Sequence, residues 1–273
     1  MSYAVVMAYV DANGVPEPRV RLAASLAEKF NATLIGLSAL AIHPPFLIEG
    51  VSIPQATAAD IVEIMSMFTA KGDWFSKIAA IDHHRIEWRP VLDYPAEALA
   101  REARSTDLVV IGQTKGPGDA LGSLDPGEAL LKIGRPTLVV PDGVSSLRAE
   151  HVVIGWKDTR EARRAVQDAL PFLHEASRVT VVEIYESGEE STPHEHIDDV
   201  VRYLTRHRIT AIPRAVLHQE GSDAAELIKL AQEEGADLIV TGAYGHSRLG
   251  EWIFGGVTRD LLATSSICCL MSH

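Results

Sequence analysis

The sequence predicts an α/β protein built as two tandem open-sheet domains, each a mostly parallel five-stranded sheet with helices on both faces. Three observations lead there. Short apolar runs alternate with segments of helical spacing, the chain repeats itself once, and a glycine-rich loop follows one late apolar run. Helices alternating with short buried strands imply parallel sheets covered on both sides.

The repeat sets the domain organisation. VVMAYVD (Val5 to Asp11) parallels VVIGWKD (Val152 to Asp158), STDLVVIG (Ser105 to Gly112) parallels GADLIVTG (Gly235 to Gly242), and PTLVVP (Pro136 to Pro141) parallels SICCLM (Ser266 to Met271). The order is the same in both copies. This places one domain at residues 1–145 and a second at 150–273, joined by the polar, turn-rich DGVSSLRAE (Asp142 to Glu150).

Each element of the second copy has a local reason. Val152 to Gly155 is a short buried strand. Asp158 and Glu161 then read as a capping box, and Ala162, Ala165, Val166, Ala169 and Leu173 recur at helical spacing. Val179 to Tyr185 is the next strand. His196 to His207 is a helix with Ile197, Val200, Val201 and Leu204 on one face, and Ala215 to Leu217 a short strand. Asp223 and Glu226 read as a second capping box, whose helix ends at Gly235. Leu238 to Thr241 and Ile267 to Met271 are the last strands. The first copy is longer between His43 and Trp88. Its insertion, His43 to Phe68, is apolar enough to cover a cavity or a partner surface. Trp74 and Trp88 read as core or interface.

Composition bounds the function. The chain has 273 residues, 47% hydrophobic and 23% charged, which suits a packed core. A net charge of −12 argues against a nucleic-acid or anionic-membrane partner. No apolar run approaches the ~20 residues needed to cross a bilayer, and the N-terminal residues lack the pattern of a signal peptide. A cytoplasmic protein is expected, with the adjacent Cys268 and Cys269 as buried, reduced thiols facing opposite sides of a strand.

The chemistry concentrates in GAYGHSRLGEWIFGGVT, Gly242 to Thr258. Gly242, Gly245 and Gly255 fall at G-x2-G-x9-G, and Gly256 follows. Glycines let a backbone approach an anion closely or turn through positive φ, and a helix starting near Gly256 offers free N–H groups and the positive end of its dipole. His246, Ser247, Arg248, Val257 and Thr258 are further candidates. The spacing is neither a Walker A loop nor a dinucleotide fingerprint. On an open parallel sheet, ligands sit beyond the carboxyl ends of strands, where this loop lies.

This loop resembles the nucleotide loop of the ATP-binding branch of the universal stress protein family, and the whole chain resembles two copies of that domain. The family usually has Ser or Thr where this chain has Gly256. The resemblance implies a Rossmann-like fold of the adenine-nucleotide alpha-hydrolase type. It implies ATP, AMP or ADP as cofactor, with Mg²⁺ offsetting the phosphate charge. Phosphates are expected on Gly242, Gly245, Gly255, Gly256 and Thr258. Adenine is expected near Ile184 and the turn Gly155, Trp156, Lys157 and Asp158, where the family's adenine-binding Asp aligns with Lys157. Asp158 is left between base contact and helix cap. The last strand of each half is an edge that needs a partner. The resemblance implies pairing between the two halves as an intramolecular pseudo-dimer, or exchange with a second chain as a homodimer.

The first copy serves as a control. Where Gly245 and Gly255 would align stand Lys115 and Asp125, followed by Pro126. A carboxylate and a proline at the start of a helix oppose phosphate binding, so one nucleotide per chain is expected. His194 and His196 fit no zinc spacing and read as solvated. No general base, nucleophile or metal-carboxylate set is evident, so any ATP hydrolysis is expected to be slow. The function expected is a nucleotide-dependent stress-response sensor or regulator. A ligand-free interaction module and an enzyme of a related nucleotide-binding fold remain the alternatives.

Overall fold

The computed structural model describes residues 2–14, 16–42, 46–48, 51–53, 57–113, 123–187, 191–218, 221–245 and 256–273. In the first half the strands are β1 (Val5–Tyr9), β2 (Thr33–Ala39), β3 (Phe46–Ile48), β4 (Val51–Ile53), β5 (Ile86–Val91), β6 (Leu108–Gly112) and β7 (Thr137–Val140). The helices there are α1 (Glu17–Lys29), α2 (Ala58–Ala79), α3 (Pro95–Glu102) and α4 (Pro126–Ile133). The second half has β8 (His151–Gly155), β9 (Arg178–Tyr185), β10 (Ala211–Leu217), β11 (Leu238–Gly242) and β12 (Cys268–Ser272). Its helices are α5 (Arg160–Asp168), α6 (Leu170–Leu173), α7 (Ser191–Arg206), α8 (Asp223–Glu233) and α9 (Gly256–Thr264).

Ten strands form one continuous mixed sheet in the order β10-β9-β8-β11-β12-β7-β6-β1-β2-β5, with β3 and β4 as a separate antiparallel pair. Two separate five-stranded sheets, the expectation from sequence, are therefore wrong. The junction is antiparallel: Leu138 lies opposite Leu270, flanked by Val139 with Cys269 and Thr137 with Met271. Every other pairing in the large sheet is parallel. β7 and β12 are buried throughout. An apolar edge of that kind has unpaired backbone groups and no water to satisfy them, so the two edges close on each other.

Both faces of the sheet are covered, and each hydrophobic layer runs across both halves. α1, α2, α5, α6 and α7 pack on one face, with Phe75, Phe172 and Leu204 among the buried side chains. α3, α4, α8 and α9 pack on the other, around Leu99, Leu130, Leu227 and Leu261. Cys268 belongs to the first layer and Cys269 to the second, both as free thiols. Burial pushes each of them up to about 12, which keeps them unreactive. The halves also meet side by side: Tyr3, Phe30 and Phe172 form a ring cluster with centroids 5.0–5.5 Å apart, and Tyr3 Oη donates to the Asp168 carbonyl at 2.6 Å.

Several local expectations shift. Thr159, not Asp158, caps α5, its hydroxyl accepting from Ala162 N–H at 3.2 Å. Ser222, not Asp223, caps α8, accepting from Ala225 N–H. In both cases the acid stands one residue off the cap, and the short hydroxyl takes the N3 amide. Asp158 instead pairs with Arg163. β10 begins four residues earlier than read, because Pro213 is tolerated on an edge strand. The β1 and β8 registers against β6 and β11 match Val6 with Val152, so Asp11 corresponds to Lys157. The repeat as read was one residue out of step there.

Candidate functional site

A crevice of about 70 Å³ opens at the carboxyl ends of β8, β9 and β11. Of the residues expected there, Gly155, Trp156, Lys157, Ile184 and Val257 line it. Sequence reasoning missed Val182, Asp223, Leu227 and Thr241. Asp223 had been assigned to the cap; Ser222 takes that role and leaves its carboxylate at the crevice. A sharper signal was available, since Ser222 already precedes an acidic first turn. Leu227 lies over Gly155, where an added Cβ would meet Cδ2 at 2.6 Å.

The loop after β11 is positioned by two helices. A Cβ on Gly242 would lie 2.6 Å from Ala162 N and 2.8 Å from the Glu161 carbonyl carbon. Gly242 is thus required for the close approach of α5 to the strand end. The left-handed residue of the turn is Tyr244, at φ 54°, not a glycine. Its N–H donates to Thr258 Oγ1 at 3.1 Å, so the buried Thr258 hydroxyl ties the loop to the first turn of α9. Gly245 lies against Thr159 and Glu161, and among the described residues nothing stands where a Cβ on Gly256 would be. His246, Ser247, Arg248 and Gly255 lie outside the described residues.

Charge around the loop is specific. Glu161 is 1% exposed, and one carboxylate oxygen, Oε2, is buried beside Gly245 with no hydrogen-bond partner among the described residues. Burial pushes this carboxyl up, but hydrogen bonds from Arg160 and from backbone outweigh it and hold the group ionised. The loop also touches the first half: a Cβ on Gly127, in the first turn of α4, would come within 2.6 Å of Tyr244 Oη. Burial and the nearby Asp125 push that phenol up to about 12, so it stays protonated.

Elsewhere, Asp125 accepts from Glu128 N–H and caps α4, with Pro126 in the first turn. The corresponding helix start in the first half is therefore filled by its own carboxylate, while Lys115 lies outside the described residues. His196 is not simply solvated: its Nδ1 lies 3.2 Å from Glu183 Oε1. Trp88 is in the first-half core, packed on Phe75 and donating to the Phe68 carbonyl at 3.0 Å. Among the described residues no group of three or more His, Cys, Asp or Glu is placed to hold a metal, and no helix is long and apolar enough to cross a membrane.

An open α/β sheet with its crevice at the strand ends defines a class of fold, and the comparisons narrow it. Residues 148–273 match the universal stress protein family. The universal stress protein from Archaeoglobus fulgidus DSM 4304 is similar over 98% of both chains, with 13% identity and a TM-score of 0.74. A candidate universal stress protein from Pseudomonas aeruginosa UCBPP-PA14 covers 99% of this chain and 93% of its own, at 11% identity and a TM-score of 0.61. A functionally unknown protein from Pseudomonas aeruginosa PAO1 covers 99% and 92%, at 10% and 0.60. At these identities the likeness is one of fold: the chain has the universal stress protein fold, and its second half matches the family. No curated protein matches the sequence.

Proposed function

We propose that the chain consists of two universal-stress-type units, 1–145 and 150–273, and that the second binds ATP, AMP or ADP as a nucleotide-dependent regulator of a stress response. One observation carries the reading: the crevice formed by Gly155, Lys157, Ile184 and Val257 lies at the strand ends, beside the start of the nine-residue helix α9. A parallel sheet concentrates free backbone N–H groups and a helix dipole at that spot. The base enters the crevice by moving the tip of Leu227 off Gly155. The phosphates lie over the Gly245 turn and the exposed start of α9 at Gly256, with Gly255, His246, Ser247 and Arg248 as the remaining donors. Thr258 acts by bracing the loop. Mg²⁺ travels with the phosphates, and Glu161 is the buried acid beside the loop that would face it.

The test is calorimetric titration with ATP and Mg²⁺. Gly256→Asp is the discriminating variant. Among the described residues nothing stands where its Cβ would be, and an acid suits a helix N-terminus, so the fold tolerates it. The added charge should weaken ATP binding at least tenfold, and wild type should bind one nucleotide per chain. Unchanged affinity would falsify the loop assignment. Two equivalent sites would show that Asp125 and Pro126 do not obstruct the first half.

A further inference from the structure

A second cavity, about 530 Å³, lies between α5 and α7. This is the size of a small-molecule site. Val166 and Gln167 of α5 line one side and Val200 and Tyr203 of α7 the other, with Trp156, directly after β8, between the two in sequence and in space. Both acids on the lining are matched, Asp158 by Arg163 and Asp199 by Arg202. The paired charges call for neither a cation nor an anion.

What stands unmet is a donor. Trp156 is 9% exposed, and its indole N–H is buried with no hydrogen-bond partner among the described residues. An indole nitrogen only donates, and a buried donor left without an acceptor is costly. Trp156 also lines the crevice at the strand ends, but it packs in the hydrophobic layer of α5 and α7, the side on which the larger cavity lies.

The first half has no such group. Val6 matches Val152 in register, so Val10 stands where Trp156 does. The backbone agrees: Val10 N–H donates to the Leu37 carbonyl at 2.8 Å, as the Trp156 backbone N–H donates to the Val182 carbonyl at 2.7 Å. Val10 is fully buried and its side chain carries no polar atom. The same framework thus accepts a small apolar side chain at this place, and filling the core does not require an indole nitrogen.

We propose that the cleft between α5 and α7 binds a neutral, flat organic molecule whose hydrogen-bond acceptor, a carbonyl or ring nitrogen, takes the Trp156 indole N–H. The body of the molecule packs on Val166, Val200 and the ring of Tyr203. A small turn of the indole into the open space brings its N–H to the acceptor. This site does not rest on nucleotide binding at the strand ends.

The probe is coumarin, a neutral two-ring molecule with a carbonyl acceptor and no N–H or O–H. Indole is the control, of similar size and shape but with a donor in place of the acceptor. The readout is the indole N–H signal of Trp156 in ¹⁵N-labelled full-length protein, assigned with Trp156→Phe. Coumarin should move that signal downfield and saturably, and indole should bind about fivefold more weakly or worse. In Trp156→Phe, followed through the backbone amide signals of Val200 and Tyr203, coumarin should lose that advantage over indole. Gln167→Trp alters an exposed residue of the lining, leaves the core alone, and should block the cleft and abolish the shift. Equal binding of indole to wild type, a coumarin preference that survives Trp156→Phe, coumarin binding that survives Gln167→Trp, or no saturable shift up to the solubility of coumarin would each overturn the proposal.

Discussion

The two ends of one sheet carry the same framework and treat their crevices in opposite ways. At the end of β6, Arg19 lies so close to Gly112 that a Cβ there would be 1.9 Å from its guanidinium, and Arg19 pairs with Asp11. Lys71 ties the neighbouring loop, and Asp125 caps the helix start. At the end of β11 the neighbour is the backbone of α5, Gly256 at the start of α9 is exposed, and Trp156 lines two cavities. Among the described residues the first half meets its strand end and the loop after β1 with Arg19 and Lys71, whereas the second half has a crevice at the matching strand ends.

The sharpest way to break the comparison is at the junction. Leu138→Asp places a charge at a fully buried position opposite Leu270. It should cost about 4 kcal/mol or more, and hydrogen exchange should rise in both halves together. Exchange confined to one half would mean that the halves are energetically separate despite the shared sheet.

The Lys71 contacts with the carbonyls of Asp11, Ala12 and Gly14 come next. Lys71→Ala strands three carbonyls and should cost about 1.5–3 kcal/mol, the range for charge-assisted hydrogen bonds. Arg163→Ala in the second half removes only an exposed pair and should cost under about 1 kcal/mol. Denaturant midpoints of the two variants measure the contrast, and equal losses would show that the Lys71 contacts contribute no more than an exposed ion pair.

Glycines give a third comparison. Gly242→Ala forces a Cβ into the backbone of α5 and should cost about 1–3 kcal/mol. Gly256→Ala meets nothing and should stay within about 0.5 kcal/mol of wild type. Thermal unfolding of the pair separates a packing glycine from one with no packing role among the described residues.

The smallest effect is a pH dependence. Burial raises the Glu183 carboxyl, opposed by the contact with His196. A raised carboxyl favours the folded state below its unfolded value and loses that contribution as pH rises through the folded value. Glu183→Gln mimics the protonated form. It should therefore be more stable than wild type near neutrality, with the gain fading as pH falls through the carboxylate range. A gain that grows in acid would reverse the assignment.

Much of the strand and helix order was legible from local pattern. The helical spacing of Ile197, Val200 and Leu204 marks the buried face of α7, and the Leu238 run marks β11. Cap positions were one residue out because Asp158 and Thr159, like Asp223 and Ser222, are both competent caps, and only three-dimensional competition from Arg163 and the crevice separates them. Tyr244 at positive φ gave no signal, since a tyrosine there is unusual and its conformation is imposed by Thr258 and α4.

By itself the sequence determined the alternation of strands and helices, the repeat, and the concentration of glycine after β11, because periodicity and backbone freedom are local properties. Tertiary structure alone decided that ten strands make one sheet, that Gly242 answers to α5, that Arg19 reaches Gly112 and that Lys71 reaches the carbonyls after β1. Those outcomes depend on which edges and charges meet across long stretches of chain. Pairing an apolar edge, or burying an ammonium among three carbonyls, is a contest between distant partners that no local pattern encodes.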